Sequence, residues 1–350
     1  MWKIPPEYEY HRRTWLAWPW DHDIWNGIQG TNLKLCQDSI DRLVRVIANY
    51  EDVSIVAMEC DLSKLEKRFK RRSSDRYSVE VVPAKYNDVW VRDTFPTFGV
   101  ESNSLVAICW NFNGWGRRIR HFGSYGDDAR LCSKISKLSN ARQVDSLITA
   151  EGGAFAFDES SSVFTTRSVL LDRSRNPHDT KLELEEKIRQ ATGRSQVCWL
   201  PGDRSEPITS GHIDSVIAFA KNAVLISWVE DESNPEFDVC DYNARTLMSW
   251  FREQSLSREI VKISRSSQSN DIDHCLSYTN FACVNGGLII PRFGNNAEDN
   301  YAKASIEEAF ENQVRAESVD LTPIAIAGGG IHCVTQQEPF VGTRFEQSSL

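Results

Sequence analysis

Close to the end of the chain, Gly328-Gly329-Gly330-Ile331-His332-Cys333-Val334-Thr335-Gln336-Gln337 sets one cysteine behind three glycines. Glycine alone tolerates both positive φ and close approach of another group to the backbone, so this triplet predicts that something comes near Cys333. A thiol there can attack an electrophilic carbon if a base and an anionic pocket are supplied. The best base is His212, which follows Gly211 and stands two residues before Asp214. Residues i and i+2 of a strand share a face, so a strand through Ile213–Ile217 would put imidazole and carboxylate on one side. Asp93 closes the run Trp90-Val91-Arg92-Asp93, and Glu151 precedes a Gly-Gly pair. Each also has a plainer reading. Asp93 can cap the turn before Pro96 or pair with Arg92, Glu151 can serve a turn, and Trp90 and His212 can be core residues.

Taken together, these residue types describe a substrate. Asp93 and Asp214 can each grip one edge of a planar guanidinium, whose fork of N–H groups matches carboxylates bidentately. The central carbon is a poor electrophile until it is held charged and aligned, which the two carboxylates would do electrostatically. A Cys333 thiolate then has a target. His212, oriented by Glu151, would protonate the departing amine and afterwards activate water.

The elements that must position these groups follow from periodicity. Thr14–Trp18, Val53–Met58 and Val79–Pro83 read as strands, and Leu33–Tyr50 as a helix with Leu35, Ile40, Leu43, Val44 and Ile47 at helical spacing. Leu62–Arg72 reads as a basic helix or turn with a solvated Lys/Arg face. A polar or glycine-bearing turn joined to a β-prone segment then recurs: Asn87–Asp93 with Thr97–Val100, Glu151–Gly153 with Ala154–Phe157, Gly211–His212 with Ile213–Ile217, Asn285–Gly287 with Leu288–Pro291, and finally Gly328–Thr335. Helical stretches fall between them at Lys181–Thr192, Asp241–Gln254 and Ser305–Asn312. Five loose copies predict radial repetition of one supersecondary unit around an axis, and an asymmetric α/β domain is the plainer alternative. No Ser/Pro-rich linker divides the chain, which reads as a single domain over 1–350.

Bulk composition narrows the class. Apolar content of 41% and charged content of 25% suit a globular protein with a substantial core. Forty basic against 49 acidic residues give a net charge of −9, which argues against nucleic acid and favours a small cationic partner. Nine cysteines, an odd count without any C-x-x-C pair, predict reduced thiols and a cytoplasmic setting. His332 beside Cys333 has no partner pair at zinc-finger spacing, so no metal is expected. No apolar run approaches the ~20 residues needed to cross a bilayer, so no membrane partner is expected.

At these residues the sequence resembles the agmatine deiminase (agmatine iminohydrolase) family, relatives of the bacterial peptidylarginine deiminases. The shared motifs run in order through Pro6-Glu7-Tyr8-Glu9, Trp15–Pro19, Asn87–Thr94, Trp110–Gly116, Glu151–Gly153 and Arg175–Pro177. They continue through Gly211–Asp214, Ser277–Phe281, Asn285–Gly287 and Ile331–Gln337. The resemblance implies a five-bladed α/β propeller, the pentein fold, with the site at its centre. It implies Cys333 as nucleophile, His212 as acid/base, Asp93 and Asp214 as guanidinium ligands, and Glu151 as partner of His212. Trp90 corresponds to a substrate-packing aromatic and Asn280 to a positioning residue. It also implies no cofactor, and members are commonly oligomeric. Three departures lie beside the pocket: Ser210 where Asp is frequent, Phe95 where Gly-Pro commonly follows Asp-Thr, and Gly330 where Asn often stands. The expected reaction is conversion of agmatine to N-carbamoylputrescine and ammonia. The alternatives are hydrolysis of, or amidino transfer from, another guanidine such as free or C-terminal peptidyl arginine, and a silent guanidine-binding protein.

Overall fold

The computed structural model describes residues 2–71, 75–117, 124–267 and 275–342. Among the described residues, sixteen strands form five small sheets. In chain order they are β1 (His11–Ala17), β2 (Asp52–Ala57) and β3 (Val79–Pro83); β4 (Thr97–Glu101), β5 (Ser104–Cys109) and β6 (Arg142–Asp145); and β7 (Ala156–Phe157), β8 (Ser162–Thr166) and β9 (Gln196–Leu200). Then come β10 (Ile217–Phe219), β11 (Ala223–Trp228) and β12 (Glu259–Ser264); β13 (Ala282–Val284), β14 (Gly287–Arg292) and β15 (Arg315–Asp320); and β16 (Gln336–Pro339).

The same unit builds four of the blades. A hairpin such as β4–β5 pairs antiparallel, a helix crosses over, and a third strand such as β6 joins parallel to the second. The crossover helices are Leu33–Ile47, Asp128–Leu138, Lys181–Thr192, Phe237–Glu253 and Asn296–Ala309. A parallel pair needs such a connection, because a tight turn cannot return the chain to the starting end. The middle strands are apolar on both faces, as sheets covered on both sides require; every residue of β11, Ala-Val-Leu-Ile-Ser-Trp, is buried. Local signals set the helix ends. Thr180 and Glu183 form a capping box before Lys181–Thr192, and Gly193 ends that helix at φ 70°.

The first blade is closed from the other end of the chain. β16 pairs antiparallel with β1, giving the order β16-β1-β2-β3. Within this seam Glu338 is fully buried. It accepts from Trp15 Nε1 at 2.8 Å, Ser139 Oγ at 2.6 Å and Arg12 Nη1 at 3.0 Å.

Most elements agree with the periodicity, and four details differ. Ile213–Ser215 is a short 3₁₀ turn, and the strand begins only at Ile217. Ser215 and Val216 donate their N–H groups to the His212 and Ile213 carbonyls at 3.3 and 2.9 Å, so this turn satisfies its donors without a strand neighbour. Gly328–Thr335 is likewise a series of turns rather than a β segment, with β16 starting at Gln336. The basic helix ends at Arg68; Arg72 lies outside the described residues. The thiols are not all reduced, because Cys109 at the end of β5 and Cys132 on the facing helix form a disulfide, with Cα atoms 5.6 Å apart. The sequence separation of 23 hides this pair, which meets only because the crossover helix packs back on its own strand. Among the described residues no helix is long and apolar enough to cross a membrane.

The seam makes one measurable claim. Glu338→Ala leaves the Trp15 indole and the Ser139 hydroxyl buried without an acceptor. Urea unfolding is expected to show a loss of about 2–4 kcal/mol.

Candidate active site

The turn that carries Cys333 is held from two sides. Asn280, fully buried on the segment before β13, accepts the Cys333 N–H through Oδ1 at 3.3 Å, and its Nδ2 lies 3.3 Å from the Cys333 sulfur. Arg92 donates its backbone N–H to the Cys333 carbonyl at 3.2 Å. The glycines make room for the protein's own side chains. A Cβ at Gly329 would overlap the Trp90 ring, and one at Gly330 would overlap the Asn280 side chain. The close approach they permit is therefore made by the protein itself. Burial, reinforced by the Asp214 carboxylate, pushes the Cys333 thiol well above its ordinary pKa, so the resting group is a neutral thiol.

Asp93 lies on the single turn Val91–Thr94 and points inward, which disposes of the capping and Arg92-pairing alternatives. Its Oδ2 accepts from Trp115 Nε1 at 2.8 Å and its Oδ1 from the Gly153 N–H at 3.0 Å. Burial raises its pKa to about 6, against the pull of the neighbouring His212. Gly153 is the point on which the groups converge. A Cβ there would come within 2.7 Å of His212 Nδ1, 2.8 Å of Asp93 Oδ1 and 2.9 Å of Asp214 Oδ2. No side chain but hydrogen fits.

His212 sits between two carboxylates, with Nδ1 3.7 Å from Asp93 Oδ1 and Nε2 3.1 Å from Glu151 Oε2. Burial alone would depress its pKa, but Asp93 and Glu151 outweigh burial and lift it to about 9. Glu151 is itself clamped by Arg175, whose Nε reaches both carboxylate oxygens at 2.9 and 3.0 Å and whose Nη2 donates to the Thr209 carbonyl at 2.9 Å. Despite its burial, Glu151 is kept ionised by Arg175 and His212. His212 and Asp214 share this site although no strand carries them, because the 3₁₀ turn brings both side chains to the same cavity. Asp214 Oδ2 lies 3.7 Å from the Cys333 sulfur and 2.9 Å from His332 Nδ1.

Trp90, Asp93, His212, Asp214 and Cys333 all line one cavity of about 1040 Å³. Glu151 and Asn280 stand behind it, bonded to His212 and Cys333. Trp90 is a core residue, 5% exposed and anchored through its indole N–H to Asp88 at 2.8 Å, and it also lines the cavity. Sequence reasoning missed Glu7, Arg92, Trp115, Arg175 and His332; the last four bond directly to the residues above, and Glu7 bonds to Arg92 and His332. Their motifs were visible, but nothing in the spacing shows which side chains they meet. Among the described residues no group of three His, Cys, Asp or Glu side chains is suited to hold a metal ion.

Five small sheets around a cysteine, a histidine and paired carboxylates define the class among the described residues, a pentein-fold protein. Over residues 3–339 the chain matches the Porphyromonas-type peptidyl-arginine deiminase family, and it belongs to that family. It is 30% identical over 366 residues to an agmatine deiminase of Pseudomonas aeruginosa, covering 96% of this chain and 95% of the relative. A putative agmatine deiminase of Legionella pneumophila is 28% identical over 343 residues, covering 96% and 94%. The solved agmatine deiminase of Enterococcus faecalis has the same fold, with a TM-score of 0.87 at 24% identity over 97% of this chain and 96% of that one.

Gly153→Ala tests the convergence. The added methyl must displace His212, Asp93 or Asp214 by a fraction of an ångström. A folded variant is expected to lose about 100-fold in kcat/KM, the usual consequence of misplacing reacting groups, with little change in melting temperature.

Proposed function

We propose that this protein is an agmatine deiminase, hydrolysing the guanidinium of agmatine to the ureido group of N-carbamoylputrescine with release of ammonia. The observation that carries the reading is the convergence of Asp93, His212 and Asp214 on Gly153, with the Cys333 thiol beside Asp214 in the same cavity. Two carboxylates so placed suit the two edges of a flat cation whose carbon lies over the sulfur.

The resting charges favour a cationic substrate that triggers its own nucleophile. Asp93, Glu151, Asp214 and Glu7 face His212, Arg175, His332 and Arg92, so the buried ions balance before anything binds. A bound guanidinium adds one positive charge, and loss of the Cys333 proton restores the balance. The thiolate attacks the guanidinium carbon. His212 as imidazolium gives a proton to the departing nitrogen, and ammonia leaves a covalent S-alkylthiouronium. The now neutral His212 takes a proton from water, the hydroxide adds to the same carbon, and the adduct's hydroxyl proton passes to the departing sulfur as the C=O of the urea forms, restoring the Cys333 thiol. Asp93 and Asp214 hold the positive charge in place throughout.

The mouth of the cavity supports a substrate with a cationic tail. Glu206, Glu230, Asp231, Glu236 and Glu298 line it, and Arg265 among them is paired with Glu236. A carboxylate-bearing tail such as that of arginine would meet like charge there.

Purified protein offered agmatine and arginine side by side is expected to release ammonia and a ureido product from agmatine preferentially. Cys333→Ala should abolish turnover while still binding agmatine. Transfer of the amidino group to an added amine, or full activity of Cys333→Ala, would overturn the assignment.

The pH dependence follows from the two shifted groups. Asp93 must be ionised to receive the cation, so kcat/KM should rise through pH about 6. His212 must be protonated to act as acid, so activity should fall through pH about 9. Glu151→Gln removes a carboxylate that holds the His212 proton, so the alkaline limb should move to lower pH.

A further inference from the structure

The reaction assigns no step to His332, yet carboxylates clamp its ring at both nitrogens. Nδ1 lies 2.9 Å from Asp214 Oδ2, and Nε2 lies 2.9 Å from each oxygen of Glu7. A neutral imidazole has one N–H and one lone pair, and a lone pair turned toward a carboxylate is repelled. Two carboxylate acceptors therefore call for the imidazolium, donating at both ends. The surrounding charges agree. Burial and the Arg92 guanidinium pull the His332 pKa down, but Glu7 and Asp214 outweigh them and raise it. Burial works against ionisation of Asp214 in turn, and the His332 bond and charge, aided by His212 and Arg92, bring its pKa below the ordinary value.

We propose that His332 is a positioning residue for this reaction, its imidazolium anchored by Glu7 so that Asp214 is fixed in the orientation and ionised state that receive the guanidinium. The anchor comes from far away in sequence. Glu7 lies on the segment preceding β1, where its carbonyl oxygen is 2.8 Å from His11 Nε2 and its carboxylate accepts from Arg92 Nη1 at 3.1 Å. Arg92 also reaches the His332 carbonyl at 3.3 Å and Gln337 Oε1 at 2.8 Å, bracing the cysteine turn from behind. Without His332, Asp214 would keep only the 3.5 Å bond from Ser215 and the weak sulfur contact. The charged and titratable groups facing the His332–Asp214 pair are Glu7, Arg92, His212, Cys333 and Cys275, with Asp93 beyond His212.

The inference rests on the guanidine-hydrolysing reading of the site, and two variants separate positioning from mere structural linkage. In His332→Asn the amide N–H stands near the position of Nδ1 and still reaches Asp214. In His332→Gln it stands near the position of Nε2 and still reaches Glu7. Steady-state kinetics with agmatine across pH should show His332→Gln losing about 10-fold or more in kcat/KM, mainly through KM, the usual scale for removing a partner that orients a binding carboxylate. His332→Asn should lose less. In both variants the acid limb of kcat/KM should move to higher pH and steepen, because Asp214 now titrates together with Asp93. Thermal melting checks folding, and if His332→Gln does not fold, the acid limb of His332→Asn decides. Wild-type turnover with an unmoved acid limb in the folded variants, or with His332→Asn more impaired than His332→Gln, overturns this inference alone. Absence of turnover by the wild-type protein with any guanidine overturns the reading of the site and this inference with it.

Discussion

The structure depends on the pairing of β16 with β1, which joins the two ends of a chain whose other blades are each made of consecutive elements. Four blades fold from local hairpins and a crossover helix. The first is incomplete until residues 336–339 arrive. Cys333 stands three residues before that strand, so the contact that closes the ring also sets the thiol against Asn280, Arg92 and Asp214. Buried Glu338 fixes the seam by accepting from Trp15, Ser139 and Arg12, three groups that no local segment could bring together. Long-range closure costs chain entropy before it returns any contact energy. The seam is therefore the natural place for dense polar bonding.

The second constraint is electrostatic. An unpaired charge in an interior is costly, and removing one partner of a buried pair typically destabilises by about 3–5 kcal/mol. This site concentrates carboxylates in a small volume, as the proposed guanidinium substrate would require. It meets the cost by giving each a cation: Arg175 for Glu151, His212 between Glu151 and Asp93, His332 for Asp214, Arg92 for Glu7. The network is tuned rather than neutral at every point. Asp93 stays near the edge of ionisation while Glu151 and Asp214 are held charged, and Cys333 is left protonated. On the proposed reading, the fold thus stores its nucleophile in the unreactive form.

Much of this was legible in the sequence, and the failures are informative. The repeat of turn, apolar strand and amphipathic helix gave the ring, because period-2 and period-3.6 patterns record which faces are buried. Cys333, His212, Asp93, Asp214 and Glu151 stood out because nucleophile, base and paired carboxylates are a recognisable chemical set. The strand assigned to 213–217 failed because an apolar-polar alternation also fits a 3₁₀ turn whose amides bond locally, Ser215 to the His212 carbonyl and Val216 to the Ile213 carbonyl. The three glycines were rightly taken as a sign of close approach, but the approaching groups are Trp90 and Asn280. The Cys109–Cys132 link was hidden by a 23-residue separation that only helix packing closes.

The sequence by itself determined the inventory: five blade-forming units, one thiol in a glycine-led turn, and the acid, base and carboxylates that make a guanidinium the fitting target. Local patterning suffices for that, since residue type and periodicity are properties of the chain. Only the tertiary structure decided which groups touch. It made Gly153 the point of convergence, gave Glu151 to Arg175 and Asp214 to His332, and brought Glu7 across 325 residues to the histidine beside the nucleophile. Those partnerships fix orientation and protonation. They arise from distances between chain segments that no sequence interval encodes.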